Sequence, residues 1–415
     1  MSLDLVLRQC RIAGREEMPA DIGIKDGRIA AIEPRLPDSA PSEDIGGRLV
    51  LSGFVESHIH LDKSCILDRC RTETESLDEA IAAVAAAKRA FTEDDVYARA
   101  CRTLEKAILQ GTTRMRTHVE IDPRIGLRGF NAIKKLKDDY AWAVDLEICV
   151  FPQEGLLNDP GADELLVEAC RRGAGLIGGC PYTDTRPKEQ IARIFEIACE
   201  FDVDIDFHLD FDLDPSWMHL HEVCRQTTAH QWGGRVAVGH VTKLSVLSPE
   251  NLNAAGRLLA DSGVALTVLP ATDLYLMGRD CDHHVPRGVT PAHRLLDQGV
   301  ICSIATNNVL NPFTPFGDCS LIRMANLYAN IVQASPAEFS DCFDMVTTWP
   351  ARLMNLTDYG VSVGHPADII VLDSETRVSA LAELAQPLSG FKRGRRTFTR
   401  PQPKLHKPGC GCGVA

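Results

Sequence analysis

The stretch Gly53-Phe54-Val55-Glu56-Ser57-His58-Ile59-His60-Leu61-Asp62-Lys63 decides how the rest of the chain is read. It leaves a glycine turn and reads as a short strand. Side chains alternate faces along a strand. Glu56, His58, His60 and Asp62 therefore share one face, and Val55, Ile59 and Leu61 share the other. Two imidazoles at i and i+2 can converge on one metal ion, because neutral imidazole is a common ligand for zinc, iron and related metals. The competing reading is a pair of histidines on an exposed edge strand.

Outward from this strand, apolar strands alternate with amphipathic helices for most of the chain. Strand candidates are residues 53–62, 113–121, 145–153, 175–180, 204–210, 236–241, 265–270 and 301–306. Helical patterns fall at 76–88, 92–110, 191–201, 249–261 and 291–298. The second of these opens on Thr92-Glu93-Asp94-Asp95, an N-cap followed by an acidic first turn. Eight strands alternating with helices predict an α/β fold, a (β/α)8 TIM-like barrel whose chemistry sits at the C-terminal strand ends. Both chain ends have a different pattern. Short strands at 4–8, 21–24, 28–32 and 48–51 are punctuated by Ala13-Gly14, Asp26-Gly27 and Gly46-Gly47. Further strands are expected at 364–373 and 391–398. These pieces predict a small β-sandwich domain built from residues 1–51 and 356–400, a barrel over 52–355, and a flexible tail over 401–415 that includes Cys410 and Cys412.

Composition narrows the function. A formal net charge of −13 without a basic run argues against duplex nucleic acid or an anionic membrane surface as partner. There is no signal-peptide pattern at the N-terminus and no apolar run of about 18 residues. The fifteen cysteines are scattered, without a Cys-x-x-Cys pair, which fits a reduced cytoplasmic setting.

Reactive side chains recur at the strand ends. His58, His60 and Asp62 end the first strand, and His118 and Glu120 the second. Gln153 and Glu154 follow the third, His208 and Asp210 the fifth, His240 the sixth, and Asn307 and Asn308 the eighth. A lone core histidine is ordinarily a satisfied hydrogen-bonder, but histidines at four strand ends of one barrel point to a common site. His219, His221, His230, His283, His284 and His406 lie in helical or loop contexts and read mostly as surface residues.

These residues carry a resemblance that covers nearly the whole chain. The opening stretch, Arg116-Thr117-His118-Val119, Phe151-Pro152-Gln153-Glu154-Gly155, His208, His240, Arg287-Gly288-Val289-Thr290, Pro312-Phe313-Thr314-Pro315-Phe316-Gly317 and the return strand at 364–373 resemble the amidohydrolase superfamily, in its cytosine deaminase-like branch. Asp62-Lys63-Ser64 is also similar to the branch that hydrolyses N-substituted triazine ring amines. The resemblance implies a metal-dependent hydrolase of non-peptide C–N bonds in small nitrogen heterocycles or amides. It implies one divalent ion, zinc or iron, held by His58, His60 and His208, with Asn307 at the position of the fourth ligand. It places Gln153 on the substrate ring and His240 beside the attacked group. Lys63, His118, Phe211 and Asn308 are expected around the same substrate. The ion would acidify a water that attacks a ring carbon. Barrels of this branch are often homo-oligomers.

Two positions depart from the pattern. Asn307 stands where the family has the aspartate that ligates the metal and takes a proton, and an amide can do neither proton transfer nor charge neutralisation. Phe211 stands where cytosine deaminases have a glutamate. Cytosine is therefore a poor fit as substrate. Three readings follow: a hydrolase with a rewired proton relay, with Asp210, Glu120 or Glu154 as substitute carboxylate; a barrel with a vestigial metal site that binds a small ligand without turnover; or an altered residue at 307 in an otherwise ordinary enzyme.

Overall fold

Eight parallel strands pair in sequence order: Phe54–Ile59, Thr112–Glu120, Asp145–Phe151, Leu176–Ile177, Asp204–Leu209, Val236–His240, Val264–Val268 and Cys302–Ile304. The structure is a computed structural model that describes residues 2–74 and 76–406; Cys410, Cys412 and the tail from 407 lie outside the described residues. The barrel closes where the eighth strand meets the first. His60 N donates to Asn307 O and Asn307 N donates to His58 O, both at 2.8 Å. The ring is thus closed by the residues of the expected metal site. Each of the eight expected strands is present, shorter by a few residues at the ends.

All six residues of the first strand are buried, so the histidines are not on an exposed edge. Strand four is reduced to two residues beside Gly178, where a Cβ would lie 2.2 Å from Asp206 O. Glu93–Leu109 is helical, and the Thr92 side chain caps it by accepting from Asp95 N. Ser76 caps Leu77–Ala87 in the same way through Glu79 N. The helix expected at 191–201 begins earlier, at Pro187, since proline is suited to a first turn. The segment expected at 291–298 is a 3-10 helix, Ala292–Gln298.

The small domain is built from both chain ends, as a sheet separate from the barrel. Its strands join in one mixed sheet, in the order Arg395–Thr399, Pro387–Lys392, Ile369–Leu372, Leu49–Leu51, Leu5–Ile12, Arg15–Lys25, Arg28–Glu33. Leu5–Ile12 is long enough to pair two short strands along one edge, Ser42–Asp44 through Val6–Arg8 and Leu49–Leu51 through Arg11 and Ile12. The strand expected at 391–398 is instead a hairpin, because Arg393 and Gly394 both adopt positive φ, 48° and 74°, as a tight two-residue turn requires. Alternation along the shared strands divides the cores. Leu49, Leu51, Ile370 and Leu372 pack into the barrel core, while Val50, Ile369 and Val371 pack into the small domain. Lys392 Nζ ties the two together, donating to Asp145 Oδ2 and Asp368 Oδ2 at 2.8 Å.

Candidate active site

Three imidazoles meet at the C-terminal mouth of the barrel. His58 Nε2 and His60 Nε2 each lie 3.1 Å from His208 Nε2, and all three rings are buried. Burial, reinforced by the surrounding cationic and imidazole groups, holds the pKa of each well below the ordinary 6.5, so all three are neutral near pH 7. Asn307 Oδ1 is buried without a hydrogen-bond partner. Buried acceptors left unsatisfied are costly. Three neutral imidazole nitrogens with an orphaned amide oxygen nearby form a donor set suited to a divalent cation, and the residues fit the metal that the sequence pattern implies. Room for this arrangement depends on Gly239, where a Cβ would stand 3.1 Å from His58 Cε1.

A layer of charge supports the rings from below. Asp206 Oδ1 lies 3.9 Å from His58 Nδ1, and Arg116 Nη1 donates to Asp206 Oδ2 at 2.9 Å. Burial pushes the Asp206 carboxyl upward, but His118 and Arg116 outweigh it and keep the group an anion. His118 belongs to this layer. Its ring stacks on His58 with centroids 3.7 Å apart, and its Nε2 is 3.6 Å from Asp206 Oδ2. Ligand atoms of His58, His118 and His208 come within 4.8 Å of one another. His118 is absent from the cavity wall, its ring being taken up against His58 and Asp206.

A small cavity lies above the histidines. His60, His208 and Asn307 form its floor, and Lys63, Gln153, Phe211, His240 and Asn308 contribute to its walls. Tyr182, Thr272 and Phe313 also line it. His240 Nδ1 is 2.6 Å from Asp273 Oδ1, whose other oxygen accepts from Leu269 N. This leaves Nε2 as the free ring nitrogen of His240. Phe211 covers the His240 ring, with centroids 3.8 Å apart, and also borders a wider outer vestibule with Leu213, Trp217, Leu276 and Met277.

The three substitute carboxylates are all engaged elsewhere. Strand five ends at Leu209, and Asp210 has φ of 48°, which breaks the alternation that would put it beside His208. Its carboxylate accepts from His219 N at 2.9 Å and Leu220 N at 3.0 Å, anchoring the helix Leu220–Ala229. Asp210 as a catalytic residue is therefore corrected: it is a helix anchor outside the cavity. Glu120 accepts from Lys63 Nζ and Lys88 Nζ, both at 2.7 Å. Glu154 accepts from Lys88 Nζ at 2.6 Å. Glu120, Asp122 and Glu154 together resemble a second cation site. The Lys88 ammonium already fills it, within 2.5–2.7 Å of all three. Asp62 is structural too, accepting from Lys63 N and Glu120 N. Asp273 and Lys88 escaped the sequence reading. Both sit in or beside helical segments with nothing local to mark them as buried charges.

Comparison with known proteins agrees with this geometry. Residues 134–398 match the model of the amidohydrolase family. The chain is similar to an N-isopropylammelide isopropyl amidohydrolase of Pseudomonas sp. (strain ADP), 26% identical over 94% of this chain and 96% of that protein. It is also similar to a pterin deaminase of Rhizobium rhizogenes, 29% identical over 86% and 83% of the two chains. Among solved structures, a 5-methylcytosine deaminase from Klebsiella pneumoniae superposes with a TM-score of 0.92 at 26% identity, covering 97% of this chain and 99% of that one. With the family model matching more than half of its length, the chain belongs to the amidohydrolase family.

Proposed function

We propose that this barrel hydrolyses an exocyclic C–N bond of a small oxo-substituted nitrogen heterocycle, using one zinc or iron ion held by His58, His60, His208 and the Asn307 amide. As a member of its family, the protein is a metal-dependent hydrolase of C–N bonds other than peptide bonds. The relatives named above carry N-isopropylammelide, pterin and 5-methylcytosine in their names, all nitrogen heterocycles. The observation that carries the reading is the approach of two buried, neutral Nε2 atoms, those of His58 and His60, to His208 Nε2 below the cavity.

Bound there, the ion supplies Lewis acidity and lowers the pKa of a coordinated water. With amides at 307 and 308 and a phenyl ring at 211, the side chains that can carry a proton at the wall are His240 and Lys63, apart from the metal-site histidines and Tyr182. His240 keeps its Nδ1 proton on Asp273, so Nε2 accepts a proton from the attacking water and returns it to the departing nitrogen. Asp273 stabilises the imidazolium formed in between. Phe211 and Phe313 exclude bulk water from the reacting atoms. Gln153 is held with its amide oxygen toward Lys63, 3.3 Å away, which fixes how its NH2 group meets a ring edge. A cytoplasmic setting and a homo-oligomeric state belong to the same proposal, supported by the scattered free thiols and the family resemblance.

Elemental analysis followed by an amine-release screen of amino-substituted oxo-azines tests the reading. The expected result is near-stoichiometric metal and hydrolysis that stops when the ion is chelated. Metal-loaded protein that releases no amine from any ring would contradict it.

A further inference from the structure

We infer that the substrate presents an anionic, acceptor-rich ring edge, and that Lys63 and Asn308 set this charge preference. The inference rests on the hydrolase reading for its site and adds the ionisation state of the ligand.

The orientation of Asn308 follows from a chain of fixed groups. Asn311 Oδ1 accepts from the backbone N–H groups of Phe313 and Thr314, at 3.0 and 3.2 Å. Backbone N–H groups only donate, so the Asn311 oxygen must face them and its NH2 must face the other way. That NH2 donates to Asn308 Oδ1 at 2.7 Å and to Lys63 O at 3.2 Å. The Asn308 oxygen is therefore consumed inside the wall. What Asn308 has left for the cavity is its NH2 group, a donor.

Lys63 is likewise a donor held in place. Its ammonium has three N–H bonds. One goes to Glu120 Oε1 at 2.7 Å and one to Gln153 Oε1 at 3.3 Å, leaving one for a ligand. The side chain is buried, with Nζ over the Phe313 ring at 4.4 Å. None of the described residues lining the cavity carries a carboxylate. Glu120, Asp122 and Glu154 stand behind Lys63, around Lys88. The surface that a ligand meets thus offers an ammonium and an amide NH2 on one side and an acidic residue on none. A ring that brings a hydrogen-bond donor or a positive charge to this side leaves buried donors facing one another. A ring that brings a deprotonated imide or enolate edge satisfies both, through charge-assisted hydrogen bonds.

The test uses two ring probes without an exocyclic amine to lose, and one neutral ring. Barbiturate and cyanurate supply the anionic edge, and cytosine supplies the neutral one. Binding to metal-loaded and to metal-free protein is measured by calorimetry. The expected result is that barbiturate or cyanurate binds at least about tenfold more tightly than cytosine, as one charge-assisted hydrogen bond implies. Lys63→Met then removes that margin while changing cytosine affinity little. Removing Lys63 leaves Glu120 with one fewer cation, so Asn308→Leu provides a second variant that keeps the ion pairs. It is expected to weaken the anionic probes several-fold and cytosine less. Equal or tighter binding of cytosine, no binding of any probe, or an anion preference untouched by both variants would overturn the inference. Amine release and metal content are measured separately. Turnover of neutral rings only would leave the hydrolase reading standing and defeat this inference. Anion-selective binding without turnover of any ring would do the reverse.

Discussion

Replacing Asp273 with asparagine isolates the part played by His240. Asp273 Oδ1 stands 2.6 Å from His240 Nδ1, while Oδ2 accepts from Leu269 N at 3.2 Å. In Asp273→Asn the backbone N–H still demands an oxygen, so the amide NH2 is turned toward Nδ1. A donor there forces the neutral imidazole to carry its proton on Nε2, and the ring then presents a donor to the cavity where the mechanism needs an acceptor. The variant also loses the carboxylate that stabilises the imidazolium. Coulomb's law gives about 6 kcal/mol for unit charges 2.6 Å apart at an effective dielectric constant of roughly 20. Charged hydrogen bonds retain only about 1.5–3 kcal/mol of net worth after desolvation. At about 1.4 kcal/mol per factor of ten, this predicts a fall in kcat of about 10- to 150-fold, before any further loss from the wrong tautomer. Single-turnover amine release with the best wild-type substrate reads the rate, elemental analysis reads the metal, and nitrogen-15 NMR of the labelled imidazole reads the tautomer. The expected outcome is a slowed reaction with unchanged metal and the proton moved to Nε2. An unchanged rate alongside the changed tautomer would refute the assignment of proton transfer to His240.

Three further predictions address other parts of the molecule. Asn307→Asp supplies the anion missing from the donor set and should tighten metal retention against a competing chelator by at least about tenfold; looser retention would mean that residue 307 does not face the ion. Gly239→Ala sets a methyl group 3.1 Å from His58 Cε1 and should cost about 1–3 kcal/mol of stability, or displace the ring and lower metal content; a variant with wild-type melting and metal would show that the ring has slack. In the small domain, burial raises the Asp21 carboxyl, but hydrogen bonds from Leu36 N, Gln9 N and Arg8 outweigh it and hold the group below its ordinary 3.8. Its stabilisation is present above about 3.8 and is lost as pH falls below that value. Urea unfolding of Asp21→Asn should accordingly show a flatter acid limb than wild type, and parallel limbs would count against it.

What could be read from the sequence followed the physics of repetition. The eight strands announced themselves as short segments recurring between helical patterns, with reactive side chains gathered toward their C-terminal ends. His58, His60, His208 and His240 were legible for this reason. Asp210 misled because alternation was carried one residue too far, past the point where the backbone turns to positive φ. Glu120 and Glu154 misled because their partner, Lys88, lies at the end of a helix far back in the sequence, and nothing local marks a lysine that will be buried among three carboxylates. Asp273 was invisible in the short helix Pro270–Leu276, whose part in the site depends on a contact 33 residues away. The hairpin at Arg393-Gly394 was missed because its turn falls inside what reads as one continuous strand, and Ser42–Asp44 because its three residues are polar and mostly exposed.

One divalent ion is expected where His58, His60 and His208 meet. Anomalous diffraction from crystals of metal-loaded protein, collected on both sides of the zinc and iron absorption edges, locates the ion directly. The expected result is a single peak bonded to the Nε2 atoms of these three histidines and within reach of Asn307 Oδ1. A peak among Glu120, Asp122 and Glu154 with Lys88 displaced, or no peak in protein shown by elemental analysis to be loaded, would contradict it.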